Sequence, residues 1–318
     1  MVITLLSPFT GFPVILDSLI SVFSIIAVGW VLRQTLLASD DAWKGFETVS
    51  FYVLIPVLLA KTLATARLGE VPFLGLGGAL IGTILLFAAI LLLTRRLLER
   101  LLQINSASFT AIFQSVLRWN AFVALGMAAN LYGNEGVTLA AVAMTAMIPL
   151  LNVISVLVLR KYAHGNSGSL FAGLAKNPFI VGTALGLLLN LTGLPIPRSI
   201  GMAMDIVGRC ALGATLLLVG AGLRIQDLRR PSPALLTGIF VRVLAVPLAG
   251  YLIGMALGLS GNSLAIVLIC LGVPTAGGAY VLAKQMNGDA PLVAAITTGQ
   301  TLVAMVTLPL LLTLFTAG

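Results

Sequence analysis

The chain has 318 residues, 59% of them hydrophobic and only 9% charged, with a formal net charge of +8 and a mean hydropathy of +1.11. That composition excludes a soluble globular domain and fits a chain that crosses a bilayer many times. One histidine, two cysteines and no HExxH, GxSxG, Walker or useful GxGxxG pattern argue against metal, nucleotide and nucleophile chemistry, so no metal, no cofactor and no enzymatic activity are expected.

Ten apolar runs follow in chain order: 13–32, 44–66, 71–93, 106–131, 136–159, 174–192, 198–222, 233–257, 262–286 and 291–316. Each is long enough to cross the hydrocarbon core as a helix. They predict an all-α integral membrane protein with ten transmembrane helices and no connection large enough for a soluble domain. No basic residues precede the first run, so a cleaved signal peptide is not expected. The connections 1–2, 3–4, 5–6, 7–8 and 9–10 hold Arg33, Lys44, Arg95, Arg96, Arg100, Arg160, Lys161, Lys176, Arg224, Arg229, Arg230 and Lys284. The opposite side holds Arg67, Arg198 and, near the end of span 2, Lys61. Twelve against three predicts that both termini face away from the cytoplasm. The positive charge is therefore a topology signal with some attraction to anionic lipid, and nucleic acid is not an expected partner.

Polar residues inside the spans are few, and their depth gives them meaning. Asp17 and Glu47 lie near span starts and read as interfacial. Lys61 in span 2 and Arg242 in span 8 read as long side chains that reach toward the membrane surface. Span 4 carries Ser115-Val-Leu-Arg118-Trp119-Asn120-Ala121-Phe122, and span 9 carries Cys270-Leu-Gly272-Val-Pro274-Thr275-Ala-Gly277-Gly278. Asn120 and Pro274 fall near the centres of their spans. Pro274 removes a backbone donor and clashes with the preceding turn. Gly277 and Gly278 permit close backbone approach. Both spans are expected to break at mid-membrane, which lipid tolerates only where the freed backbone is buried in protein or lines a wet cavity. New half-helices would start at Ala121 and Thr275, and their N–H ends favour a carboxylate. The alternative is two ordinary kinks.

Arg118 has two readings of equal weight. It is a bidentate donor to an anionic substrate, or it binds freed carbonyls or a carboxylate within the protein. Asp205 and Arg209 are four apart in span 7 and share a helix face. An ion pair between them is the first reading, and a proton or cation coupling role for Asp205 the second. Thr145 and Asn152 in span 5, and Thr298 and Thr301 in span 10, are site candidates because those spans flank the two breaks. Cys210 and Cys270, both inside spans, form neither a metal motif nor a disulfide framework.

The two halves repeat weakly. At an offset of 154, residues 131–144 face 285–298, which sets Glu135 against Asp289 and Asn120 against Pro274. At an offset of 157, Ala66-Arg67-Leu68-Gly69-Glu70 faces Leu223-Arg224-Ile225-Gln226-Asp227. Five spans per half is an odd number, so the halves, 1–159 and 160–318, must insert with opposite orientation. Paired breaks in two inverted repeats are the sequence mark of a secondary carrier's binding site.

The segments Tyr52-Val-Leu-Ile-Pro56, Leu131-Tyr-Gly-Asn-Glu-Gly136, Asn177-Pro178-Phe-Ile-Val-Gly182 with Leu187-Leu-Leu-Asn190-Leu-Thr-Gly193-Leu-Pro195, and Val273-Pro274-Thr275 through Tyr280-Val-Leu-Ala283 resemble the bacterial auxin efflux carrier family. That family lies within the bile acid, arsenite and riboflavin transporter superfamily. The resemblance implies crossed, broken helices 4 and 9. It also implies a scaffold of spans 1, 2, 6 and 7, with a transport domain of spans 3–5 and 8–10. Small organic anions as substrates, Lys61 on the scaffold facing the transport domain, and homodimers through the scaffold are implied as well. Plant members carry a long connection between spans 5 and 6, whereas residues 160–176 are short here, so auxin itself is not carried over as the substrate.

The expected function is a secondary active transporter in the bacterial cytoplasmic membrane, moving a mono- or dicarboxylate by alternating access. The expected site combines Arg118, Asn120, Ala121, Pro274, Thr275, Gly277 and Gly278, with Lys61, Asp205 and Arg209 as scaffold-side or coupling candidates. A proton, or no coupling ion, is preferred over sodium because no cluster of acidic ligands is present. A sodium-coupled bile-acid-type symporter and a passive anion channel are the competing readings.

Overall fold

The computed structural model describes residues 12–66, 72–163, 178–229 and 231–316. Arg67, Leu68, Gly69, Glu70, Lys176, Asn177 and Arg230 of the sequence reading, and the single histidine, His164, lie outside the described residues. All the elements among the described residues are helical. In chain order they are α1 (Phe12–Thr35), α2 (Asp40–Ala64), α3 (Phe73–Leu93), α4 (Arg95–Leu101), α5 (Ser106–Leu117) and α6 (Ala121–Tyr162). Then follow α7 (Pro178–Thr192), α8 (Arg198–Ala221), a short 3-10 helix (Ile225–Arg229), α9 (Pro233–Ala256), α10 (Gly261–Gly272), α11 (Gly278–Gln285) and α12 (Ala290–Thr316).

Helix is present in all ten runs marked from sequence. Among the described residues, six helical stretches are long and apolar enough to cross a membrane: Asp40–Ala64, Phe73–Leu93, Ser106–Tyr162, Arg198–Ala221, Pro233–Ala256 and Ala290–Phe315. Leu19–Thr35, Val181–Thr192 and Gly261–Gly272 are shorter apolar helices. The difference from ten has local causes. Ser106–Tyr162 joins two runs, interrupted at 118–120 and again at Gly133, whose φ of 55° and ψ of −139° are open to glycine. Span 9 is divided between α10 and α11.

Local chemistry sets the helix ends and irregularities. Asn105 caps α5 by accepting from Ser108 N at 2.8 Å, and Ser232 caps α9 by accepting from Leu235 N at 3.1 Å. Pro56 and Pro247 each follow a π-turn, over Ser50–Leu54 and Val241–Ala245. In both, the N–H just before the proline reaches five residues back, Ile55 to Ser50 O and Val246 to Val241 O. A proline strips the donor from its own turn, and the wider turn redistributes the freed carbonyls.

Glycines bring helices into backbone contact. Gly29 on α1 leaves no room for a Cβ against Leu217 O on α8, and Gly220 on α8 leaves none against Ile26 O on α1. On α7, a Cβ at Gly186 would lie 2.7 Å from Ala60 O of α2, and one at Gly182 would lie 2.6 Å from Pro56 Cα. Small residues at such crossings are how membrane helices gain dispersion contact without a hydrophobic driving force. The contact of Gly29 with Leu217 O reappears 157 residues on, as Gly186 with Ala60 O once the halves are exchanged.

A second reciprocal pair follows the 154 offset. Ser108 of α5 donates to Asp289 Oδ2 at 2.7 Å, and Asn262 of α10 donates to Glu135 Oε2 at 3.0 Å. Residues 108 and 262 are 154 apart, as are 135 and 289. The acidic loop positions aligned from sequence therefore perform the same task in each half, each tying the turn after one break to the start of the other half's broken helix. Between the two clasps, α5 is buried throughout Phe109–Leu117 and α10 throughout Leu264–Gly272. These half-helices, buried on every side, form the centre of the packing.

Candidate functional site: the crossing of the two broken helices

Both expected breaks are present, and the first half-helix restarts at Ala121 as expected, but the second restarts at Gly278 and not at Thr275. Helix α5 stops at Leu117, and Arg118 is extended with φ −72° and ψ 149°. Helix α10 stops at Gly272, and Val273 is extended with φ −64° and ψ 152°. The causes differ. In span 9, Pro274 cannot continue the ladder. Span 4 has no proline there. Asn120 instead turns its side chain back to cap α6, its Oδ1 accepting from Phe122 N at 3.1 Å and from Val123 N at 3.3 Å.

The breaks touch directly, since Asn120 N donates to Pro274 O at 2.7 Å. The residues set opposite each other by the 154 offset are thus hydrogen-bonded. Thr275 reaches the other way, its hydroxyl donating to Ser115 O at 2.6 Å and its N–H to Gln300 Oε1 at 2.8 Å. The Gln300 amide donates to Ser115 O at 2.9 Å and to Gly238 O at 2.8 Å.

Arg242 completes the set. It is fully buried on the π-turn of α9. Its Nε donates to Val273 O and its Nη2 to Cys270 O, both at 2.9 Å, while Nη1 lies 3.3 Å from Val116 O and 3.5 Å from Leu117 O. One guanidinium therefore satisfies the carbonyl ends of both α5 and α10. Sequence reasoning expected Arg242 to reach the membrane surface, and that expectation is corrected. Its donors are used on freed carbonyls in the protein interior. The signal available was an arginine inside a run with two broken neighbours needing donors. Gln300 was missed because a single glutamine in span 10 carries no pattern.

Arg118 does not take the carbonyl-binding role that one reading gave it. Its Nη1 is buried and makes no hydrogen bond to the described residues. Its Nη2 is the nearest group to the space a Cβ on Gly278 would fill, at 3.8 Å. The guanidinium thus stands beside the N-terminus of α11, which begins after Gly277 without a side-chain cap. Gly277 and Gly278 are exposed, Ala121 and Ala276 half-buried, and Pro274 and Thr275 buried. The crossing has a closed side of Ser115, Thr275, Gln300 and Arg242, joined through backbone carbonyls, with the Ser115 hydroxyl itself making no hydrogen bond to the described residues. Its open side holds Arg118 and the start of α11.

The flanking candidates are elsewhere. Thr298 and Thr301 are buried and bond their own helix, at Ala294 O and Thr297 O, and Thr298 also accepts from Arg224 N at 3.0 Å. Asn152 is half-buried on α6. Thr145 bonds Ala141 O and lines a cavity of about 400 Å³ with Leu63, Gly77, Ile81, Thr183 and Leu187. That cavity lies between α2 and α7 on one side and α3 and α6 on the other.

Asp205 and Arg209 do not form the expected pair. Asp205 Oδ2 lies 3.7 Å from Lys61 Nζ, while Arg209 is exposed and joins no ion pair among the described residues. Helix packing decides this. Lys61 on α2 projects at Gly201 of α8, where a Cβ would lie 3.2 Å from its Nζ, one turn before Asp205. Among the described residues, no group of three or more His, Cys, Asp or Glu side chains could hold a metal ion.

A family model described as a membrane transport protein matches residues 166–312. An uncharacterized transporter of Methanothermobacter thermautotrophicus is 24% identical over 303 residues, covering 92% of this chain and 96% of that protein. Both similarities are to membrane transporters.

Proposed function

We propose that this chain is a secondary carrier of small organic anions, mono- or dicarboxylates, in the cytoplasmic membrane, and that the crossing of the broken helices is its substrate site. The observation that carries the reading is Arg118, a cation at mid-span with an unbonded Nη1 beside the uncapped start of α11. A charge at the bilayer centre costs about 2.5–3.5 kcal/mol on insertion scales. A carboxylate between the guanidinium and the helix N–H groups offsets that cost with charge-assisted bonds.

Ten spans in two inverted five-helix repeats are the architecture proposed, supported by the reciprocal contacts at offsets of 154 and 157. The scaffold of α1, α2, α7 and α8 meets at the glycine seams. The transport domain holds the remaining long helices and the crossing, and slides against the scaffold as an elevator. Homodimers through the scaffold and both termini outside the cytoplasm belong to the same reading. A proton, or membrane potential alone, drives the cycle. An anion leaving a negative-inside cell gains about 2.3 kcal/mol per charge per 100 mV.

The test is binding of a monocarboxylate and a dicarboxylate to purified wild type, Arg118→Ala and Arg118→Lys. Affinity should fall most for the dianion in Arg118→Ala. Lysine should restore only part, because it lacks the planar fork. Equal affinities in well-folded protein would remove the crossing from the substrate site.

A further inference from the structure

Four half-helix ends converge at the crossing, and they are not electrically alike. The starts of α6 and α11 carry about half a positive charge each, and the ends of α5 and α10 about half a negative charge each. Left alone, these nearly cancel, and the crossing would not prefer an anion. Arg242 breaks the balance. It is fully buried, it joins no ion pair among the described residues, and its donors go to the carbonyls of Val116, Leu117, Cys270 and Val273, at the two negative ends. Its unit positive charge is close to the sum of the two negative ends. Its spacing matters equally, because one rigid fork joins two helices at once, whereas separate donors would leave them free to part.

We propose that Arg242 is the charge-setting and positioning residue of the crossing, neutralising the carbonyl ends of α5 and α10 so that Arg118 and the N-termini of α6 and α11 give the open side a net positive potential. This rests on the reading of the crossing as an anion site. It adds that the anion preference is set in part by a cation that never meets the substrate. The 154-residue counterpart of Arg242 is Ala88 in α3, so the bias is supplied once, from one half.

A charge-sensing thiol tests this without knowledge of the natural substrate. Gly277 is exposed, has helical φ and ψ, and has open space where a Cβ would stand. In full-length protein with Cys210→Ser and Gly277→Cys, the rates of an anionic and a cationic methanethiosulfonate are measured, and their ratio is compared with that for free cysteine. Adding Arg242→Gln keeps an amide donor and removes the charge, and the anionic-to-cationic ratio should fall by about threefold or more. Arg242→Lys keeps the charge and should hold the ratio near that of the parent.

Arg118→Gln is the control for the reading beneath. If it lowers the ratio while Arg242→Gln does not, the inference fails and the anion site stands. If neither lowers it, both fail. Equal slowing of both reagents by Gln and Lys alike would reduce Arg242 to a packing role and overturn the inference. So would a failure of either reagent to reach the thiol. Should Arg242→Gln not fold, Arg242→Met removes the charge in its place, with a threefold fall in the ratio supporting the proposal and an unchanged ratio overturning it.

Discussion

Asn120 uses its side-chain oxygen on Phe122 N and Val123 N and its backbone N–H on Pro274 O, which separates stability from recognition at one residue. Asn120→Ala removes a helix cap and should lower stability by about 1 kcal/mol, read as a drop in melting temperature. Asn120→Asp keeps an accepting oxygen in place but sets a negative charge beside Arg118. It should melt like wild type and lose carboxylate binding, and a variant that binds normally would separate the cap from the site. The Lys61–Asp205 pair gives a second prediction. Lys61→Met should lower the melting temperature in detergent, Lys61→Met with Asp205→Asn should recover it, and Arg209→Gln should leave it unchanged. If Arg209→Gln is the damaging change, Arg209 is the partner after all. Residue identity was partly legible from sequence. Asn120, Pro274 and Arg118 stood out because mid-span polarity, a proline and a lone charge are costly in lipid. Arg242 and Gln300 did not, because what they satisfy belongs to other helices and only folding brings it near. The partner of Asp205 was misread for the same reason, since i, i+4 spacing was the only proximity a sequence supplies.

At the scale of elements, two kinds of irregularity do different work. The π-turns at Ser50–Leu54 and Val241–Ala245 keep a helix continuous past a proline, and the second sets Arg242 at the crossing. The breaks at 118–120 and 273–277 end one helix and start another. Glycine positions divide in the same way. Gly220 of α8 abuts the Ile26 carbonyl, whereas Gly213 of the same helix has nothing within 4 Å of an added Cβ. Gly220→Ala should push α1 from α8 and lower the melting temperature by several degrees. Gly213→Ala should leave it unchanged or raise it, since alanine is favoured over glycine in helices by up to about 1 kcal/mol. Equal effects would mean that the α1–α8 contact yields without cost. Helix positions were legible because apolar runs and helix-breaking residues are local. The division of span 9 into pieces of unequal length was not, because α11 restarts only at Gly278, where the Arg118 guanidinium from the other half comes near, and only folding brings the two together.

The whole molecule carries a charge asymmetry that makes its orientation testable. On the proposed topology the basic connections are cytoplasmic, which would put residues near Leu101 inside and those near Leu194 outside. A cysteine at Leu194 should react with an impermeant thiol reagent in intact cells, and one at Leu101 only after lysis. The reverse pattern would invert the topology. The 154 and 157 offsets, faint in sequence, became legible only as contacts, because apolar stretches match by chance while Ser108–Asp289 and Asn262–Glu135 do not. On the proposed sliding of transport domain against scaffold, the cavity of about 400 Å³ between α2 and α7 and α3 and α6 would give the architecture mechanical slack. Close-packed helices transmit strain and cannot slip past one another without opening voids. A seam that opens into a groove, rimmed by the exposed Phe73 and Leu74, would rearrange with fewer packed contacts to break. Gly77 lines that groove and has nothing within 4 Å of an added Cβ, so Gly77→Leu would fill it from one side. The filled protein should melt higher and transport more slowly while binding its substrate as before, a machine made sturdier by the loss of its play.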